Sequence, residues 1–292
     1  MKLLKELSEA FGPTGCESEI GSVLAEAMEK CGFAVKTDSL GSVICHKEGA
    51  GKRLMLSAFM DEPGFIVTDA DGKGILSMRG EGLDEGRCAA VRFASGACAL
   101  MKNEKGKLMA DAGEQTKEDA LKSYPIGTYA VFDEPCRCRG DFAVGKALSS
   151  RAGAAALLLA SAEISTERDL YVVFAAQHLS DSRGAQAAAC IEPDEILCLG
   201  SVEGRGGVFF SAMEKGFVAD EGIKRAILEI DPSLKISVTD TKDSDAPALS
   251  RLGARTGAVL IGVGEKGAAT ESLLTTDILR AARTVKKFAE RI

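Results

Sequence analysis

Apolar positions along this chain follow two different periods, and the change from one to the other divides it into three stretches. In the first, Ile20, Val23, Leu24 and Met28 recur at i, i+3, i+4 and i+8, the spacing of one helical face. The pattern predicts a helix over about 17–31, with Glu17 and Glu19 in a first turn where the macrodipole favours anions. A shorter helix is expected from Lys2 to about Ala10, ended by Gly12 and Pro13. Residues 34–38 and 42–46 read as strands around a turn at Gly41. Residues 54–59, Leu-Met-Leu-Ser-Ala-Phe, form a nearly continuous apolar run. Strands buried on both faces of a parallel sheet have that composition.

From about Pro63 to Asp141 the apolar runs shorten. Strand-like pieces at 65–68, 75–78, 89–93, 97–101 and 129–132 are separated by turns such as Asp71-Gly72 and Gly106-Lys107, which predicts a small all-β barrel or sandwich. Longer elements resume at Val144. Helices are expected at 152–162, 183–190, 221–230, 246–252 and 276–291, with Thr276 and Asp277 suited to the start of the last. Strands are expected at 170–176, 196–199, 234–238 and 258–263. Alternating helices and apolar strands predict an α/β fold with a mixed sheet covered on both faces. The division is therefore an α/β domain made of 1–62 and 144–292, interrupted by a β domain over 63–143. Functional clefts of such sheets lie beyond the carboxyl ends of the strands, at 59–62, 177–180, 200–202, 243–245 and 263–271.

Composition narrows the function. With 46% hydrophobic and 27% charged residues, 292 residues suffice for a buried core without disulfides. The net charge of −7 and the scattered Lys and Arg exclude the basic footprint of a nucleic-acid binder. No run reaches the roughly 18 apolar residues of a membrane span, and the N-terminus has charges inside what would be a leader's apolar region. A cytoplasmic location is the expectation. Nine cysteines include a lone Cys136-x-Cys138 and no CxxC. They are expected as small buried hydrophobes in a reducing compartment.

Candidate chemistry is sparse. Residues 262–267 match GxGxxG after the last expected strand, but no βαβ unit follows to make a dinucleotide site. No GxSxG elbow is present. Ser149-Ser150-Arg151 stands ahead of a helix and suits a cap. Histidine occurs only as His46 and His178, which leaves few good zinc ligands. His178 follows a buried strand. Asp61 and Glu62 follow another and, being adjacent, point to opposite sides. Asp243 and Asp245 are expected in a solvated loop.

In several blocks the chain resembles the glutamyl-aminopeptidase family, which includes the tetrahedral aminopeptidases and proteins once labelled cellulase M. The blocks are LLKELSEAFGPTGCESEI, LMLSAFMDEPGFIVT, ADAGEQTKEDALKSYPIGTYAVFDEP, VGKALSSRAGAAALL, VVFAAQHLSDSRGAQAAA, SDAPAL and TTDILRAARTVKKFAE. They cover almost the whole length, in family order. The resemblance implies an aminopeptidase-type mixed sheet flanked by helices, with an inserted barrel-like dimerisation domain. It also implies two divalent ions, zinc or cobalt, that activate a bridging water for removal of N-terminal residues.

Position by position, the resemblance implies that this equipment is lost. The family's His-x-Asp is Phe59-Met60-Asp61 here, so the ligand histidine is replaced and the orienting aspartate stays. The bridging carboxylate is replaced at Ser149. The Glu-Glu pair becomes His178-Leu179, replacing the general base and a ligand. Further ligands are expected at Gly200 and near Thr270. Asp245 matches a family aspartate near the cleft, and Glu62 is also expected to line the cleft. No metal is then expected. The expected protein is a catalytically inactive homologue with a binding, regulatory or assembly role. It would assemble with itself or with an active relative, and take a peptide or small molecule. The alternatives are the family's metal-dependent peptide hydrolysis, or an altered enzyme using His178 with Asp61.

Overall fold

The computed structural model describes residues 2–291. Helices α1 (Lys2–Glu9) and α2 (Ser18–Lys30) lead into strands β1 (Ala34–Thr37), β2 (Val43–Lys47) and β3 (Arg53–Phe59). Six strands follow: β4 (Phe65–Ala70), β5 (Leu76–Gly80), β6 (Cys88–Phe93), β7 (Cys98–Glu104), β8 (Lys107–Asp111) and β9 (Tyr129–Phe132), with α3 (Lys117–Ser123) between the last two. The short β10 (Arg137–Arg139) and β11 (Phe142–Gly145) precede α4 (Leu148–Ser161). The remainder is β12 (Asp169–Ala175), α5 (Arg183–Ala187), β13 (Glu195–Glu203), β14 (Val208–Glu214), β15 (Phe217–Val218), α6 (Glu221–Ile230), β16 (Lys235–Val238), α7 (Ala246–Leu249), β17 (Arg255–Val263), β18 (Glu271–Leu274) and α8 (Thr275–Ala289).

The main sheet has nine strands in the order β1-β2-β12-β3-β13-β17-β14-β15, with β16 also on β14. Its centre, β12-β3-β13-β17, is parallel. The apolar run of β3 lies between two parallel neighbours, as expected. Its alternate side chains enter two cores: Leu54, Leu56 and Ala58 pack under α1, α2, α4, α6 and α8, and Met55 packs toward α5 and α7. Helix α4 is apolar on nearly all sides and buried along nearly its whole length, as a central helix must be. It approaches the sheet closely because Gly153 has no side chain; a Cβ there would lie 3.1 Å from the Leu199 carbonyl oxygen.

The second unit is a closed barrel, β4-β5-β8-β7-β6-β9. Phe65, Val67, Leu76, Met78, Val91, Phe93, Met101 and Phe132 fill it. The fold is therefore a mixed α/β body with a six-stranded antiparallel barrel.

Several expectations change. The β stretch contains a helix, α3, capped by the Thr116 hydroxyl accepting from the Asp119 N–H, and a strand, β8, whose residues Lys107–Asp111 carry only two large apolar side chains. Strands β14, β15 and β18 carry no clear alternation and were not expected. Because β18 follows β17, the glycine-rich 262–267 segment is a strand end and a strand-to-strand loop. Ser149 and Ser150 do not cap α4; they lie in its first turn, after Ala147 in the left-handed region. Thr276 and Asp277 do stand at the start of α8, in its first turn, with Leu274 at the cap position. The cysteines are not uniformly buried: Cys45, Cys136 and Cys198 are, whereas Cys88, Cys98, Cys138 and Cys190 are exposed. Among the described residues no helix is long and apolar enough to cross a membrane.

Candidate functional site

The carboxyl ends of β3, β12, β13 and β17 form the cleft. Strand β12 ends at Ala175, and the chain turns sharply through Gln177, Asp181 and Ser182, all at positive φ. Such conformations are uncommon outside glycine and need surrounding structure to hold them. Asp61, just past β3, supplies it. Its carboxylate accepts from the backbone N–H of His178 at 2.9 Å and of Leu179 at 3.1 Å, and from the Thr14 hydroxyl at 2.7 Å. Glu17 holds the preceding residue, accepting from the N–H groups of Gln177 at 3.0 Å and Gly15 at 2.9 Å. Burial pushes the Glu17 carboxyl above its ordinary value, with the nearby Asp61 charge adding to the shift.

The imidazole of His178 is buried. Its Nδ1 lies 2.8 Å from Asp245 Oδ1 and 3.2 Å from Ser182 Oγ. Its ring stacks on Phe59, with centroids 3.9 Å apart and planes 11° from parallel. Among the described residues no group hydrogen-bonds its Nε2. Burial disfavours the imidazolium, but the Asp245 and Asp61 carboxylates outweigh that, so the pKa of His178 is raised. Asp245 is fully buried and its Oδ2 has no partner. A buried carboxylate with one satisfied oxygen favours a cation beside it. Asp243 and Asp245 are thus not in a solvated loop; both are buried.

A second cluster adjoins the first. The Lys266 ammonium donates to the Ser201 carbonyl and to Asp243 Oδ1, each at 2.7 Å. Asp243 Oδ2 accepts from the hydroxyls of Thr239 and Thr241. Glu214 accepts from the Asp243 and Ser244 N–H groups and the Ser244 hydroxyl. Buried Glu271 accepts from the Ser149 N–H and hydroxyl, both at 2.6 Å, and from the Gly267 N–H. Burial raises the pKa of Glu214 and Glu271 despite these donors.

The M42 glutamyl aminopeptidase family model matches residues 99–282. The chain belongs to that family. A protein of Acetivibrio thermocellus, named provisionally as an aminopeptidase, is 34% identical over 212 residues, covering 68% of this chain and 64% of its own length. The chain therefore spans less than two thirds of that relative. Among solved structures, the TET aminopeptidase of a marine-sediment Thaumarchaeota archaeon has a TM-score of 0.92 at 24% identity, over 100% of this chain and 96% of that one. The TET1 peptidase of Pyrococcus horikoshii, which can assemble into a tetrahedron or a large octahedral shell, has a TM-score of 0.89 at 20% identity, over 100% and 99%. At these identities the two structures show the fold.

Against the M42 resemblance, the implied ligand positions are chemically poor. Phe59 is stacked on His178. Leu179 is 53% exposed and has no donor atom. Ser149 is engaged by Glu271. Gly200 has no room for a side chain, since a Cβ there would lie 2.0 Å from the Asp243 carbonyl oxygen. Thr270 does not enter the cleft; it is exposed, and the next residue, Glu271, is the one that reaches in. Among the described residues no three His, Cys, Asp or Glu side chains are grouped to hold a metal ion. The residues present do not fit a pair of divalent cations.

Glu62 belongs to a different cluster. It lies between Lys146, at 2.6 Å, and Arg151, at 3.0 Å, and accepts from the Gly12 N–H. All three charged side chains are buried. Burial lowers the pKa of both Lys146 and Arg151, with Glu62 opposing it. Glu62 therefore faces the scaffold and not the cleft where it was expected, because Lys146 and Arg151 hold its carboxylate.

Sequence reading placed 263–271 at the cleft but did not single out Lys266 or Glu271 within it, and it missed Glu17. Lys266 and Glu271 flank a Gly- and Ala-rich stretch without periodicity, and only the position of that loop beyond β17 pointed to them.

Proposed function

We propose that this chain is a non-catalytic member of the M42 family with a binding or assembly role. The observation that carries the proposal is the sealing of position 200 by the Asp243 carbonyl, on the strand that neighbours the Phe59–His178 stack. With Phe, Leu and Gly at three implied ligand positions, no imidazole or carboxylate is offered there to zinc or cobalt. The charges that balance the buried aspartates are the protein's own: Lys266 on Asp243, and His178 on Asp245. Residues 63–143 act as the inserted unit through which this cytoplasmic protein assembles, with itself or with an active relative. The test is metal analysis of the purified protein together with peptide hydrolysis. Less than one divalent ion per chain and no chelator-sensitive hydrolysis are expected. Stoichiometric metal with chelator-sensitive cleavage would overturn the proposal.

A second reading is favoured by one contact, the 2.8 Å approach of His178 Nδ1 to Asp245. A carboxylate-oriented imidazole with its Nε2 uncommitted has the makings of a general acid or base. Asp61 is not part of that dyad, because it binds the backbone of the turn and not the imidazole. His178→Ala should abolish any hydrolysis found across a panel of ester, amide and glycoside substrates. Activity that survives the substitution removes this reading.

A further inference from the structure

Helix α8 carries four polar side chains along one stripe. Thr276, Arg280, Arg283 and Lys287 follow at i, i+4, i+7 and i+11, the spacing of a single helical face. The stripe forms one wall of a cavity of about 450 Å³, and Ile230 and Asp231 at the end of α6 form the other. That volume is within the range of small-ligand sites.

The acids of this groove are already engaged. Arg280 crosses it and grips Asp231 with two donors, Nε to Oδ2 at 2.6 Å and Nη2 to Oδ1 at 2.8 Å. The Ser233 N–H and hydroxyl also donate to Oδ1. Held by the Arg280 guanidinium, the Asp231 carboxyl is lowered to about 2. Asp277 is buried, and its carboxylate accepts from the Gly207 N–H at 2.6 Å.

The cations divide differently. Neighbouring bases near the end of α8 are paired, Lys286 with Glu290 at 3.0 Å and Arg291 with Glu229 at 2.8 Å. Arg283 and Lys287 are exposed, and among the described residues neither makes an ion pair. Arg283 uses only its Nε, on the Leu279 carbonyl of its own helix. Residues four apart on a helix have Cβ atoms about 5–6 Å apart, so both cations can close on one oxyanion. A guanidinium offers it a planar fork of donors and an ammonium a mobile point charge.

We infer that this groove binds a phosphate group, free or as the monoester of a small molecule. Arg283 and Lys287 hold the phosphate oxygens, and the rest of an ester lies along the groove toward Ile230 and Thr276. The carboxyl end of α6 places a partial negative charge beside the same space, which keeps the binding weak. No bond is made or broken, and the inference is independent of whether the cleft is catalytic.

The test is calorimetric titration of the full chain, in a low-salt buffer free of phosphate, with inorganic phosphate and with glycerol phosphate. One saturable site with Kd of about 1 mM is expected, and the probe that binds more tightly tells the free ion from the ester. Arg283→Ala and Lys287→Ala should each weaken binding about three- to fivefold, the size expected of a single exposed ion pair, with the thermal midpoint of the protein unchanged. Lys286→Ala removes an adjacent but paired charge from the same helix and should leave the affinity as it was. No saturation by about 10 mM with either probe would overturn the inference. So would saturable binding indifferent to Arg283 and Lys287, or binding that Lys286→Ala weakens as much as Lys287→Ala does.

Discussion

Asp61 and Glu62 are consecutive in the chain yet serve two buried polar clusters of different construction. Around Glu62 one carboxylate meets two cations, Lys146 and Arg151, and a backbone N–H, all within the folded body. Around Asp61 the partners are a hydroxyl and two backbone N–H groups of a strained turn, and the imidazole of His178 is held by a separate carboxylate. The first cluster ties α1, β3 and α4 together. The second fixes where His178 and Leu179 stand. The resemblance singled out the aspartate, but only the structure shows that the glutamate beside it supports the scaffold while the aspartate shapes a cleft.

Breaking the scaffold cluster should have the largest effect. Glu62→Ala leaves two buried cations without a counter-ion and should cost about 3–5 kcal/mol, read from urea denaturation. A loss below about 1 kcal/mol would mean that water reaches Lys146 and Arg151 and that the cluster is not structural. Next in size is Gly200→Ala. The added methyl meets a backbone oxygen that is itself hydrogen-bonded to the Ser201 N–H, so a loss of about 3 kcal/mol or more is expected. A tolerated alanine would show that β13 can move aside and that position 200 is not sealed.

The cleft cluster is distinguished by its pH dependence. The pKa of His178 is raised in the folded state. Its contribution is therefore complete below the unfolded value of about 6.5 and is lost as pH rises through the higher folded value. Asp245→Asn should cost roughly 2 kcal/mol near pH 6, and the gap from the parent protein should narrow steadily above about pH 7. Paired denaturation curves across that range test it; a gap that widens with pH would reverse the assignment of charge. The smallest effect belongs to the stack. Phe59→Leu keeps the volume apolar and removes the ring contact with His178, for an expected loss of about 1 kcal/mol. A gain in stability would indicate that the stack is strained.

The two clusters also differ in how far sequence could foresee them. Opposite projection of Asp61 and Glu62 was legible from adjacency. The burial of Asp245 was not: with Asp243 it lies in a short polar stretch that reads as solvated loop, and its burial depends on α7 and the 177–182 turn closing over it. Lys266 and Glu271 fall in the 263–271 stretch expected at the cleft, but their roles were not legible for the same reason. A charge in an aperiodic loop has no local signature, and its meaning comes from what the loop is folded against. Thr270 was one residue away from the side chain that enters the cleft, which is the margin at which a strand's inward and outward faces exchange.

The chain's own pattern determined the architecture. Helical spacing in α2 and α8, the two-sided apolar run of β3 and the short strands of the barrel are local consequences of burying apolar surface at periods of 3.6 and 2. Residue identity also fixed the absence of donor side chains at Phe59, Leu179 and Gly200. Tertiary structure decided the rest: that Phe59 lies flat on His178, that a carbonyl from residue 243 fills the space beside Gly200, and that Arg283 and Lys287 line one cavity with Ile230. Those are contacts between segments tens to more than a hundred residues apart. They are set by strand order and loop closure, which no local periodicity encodes.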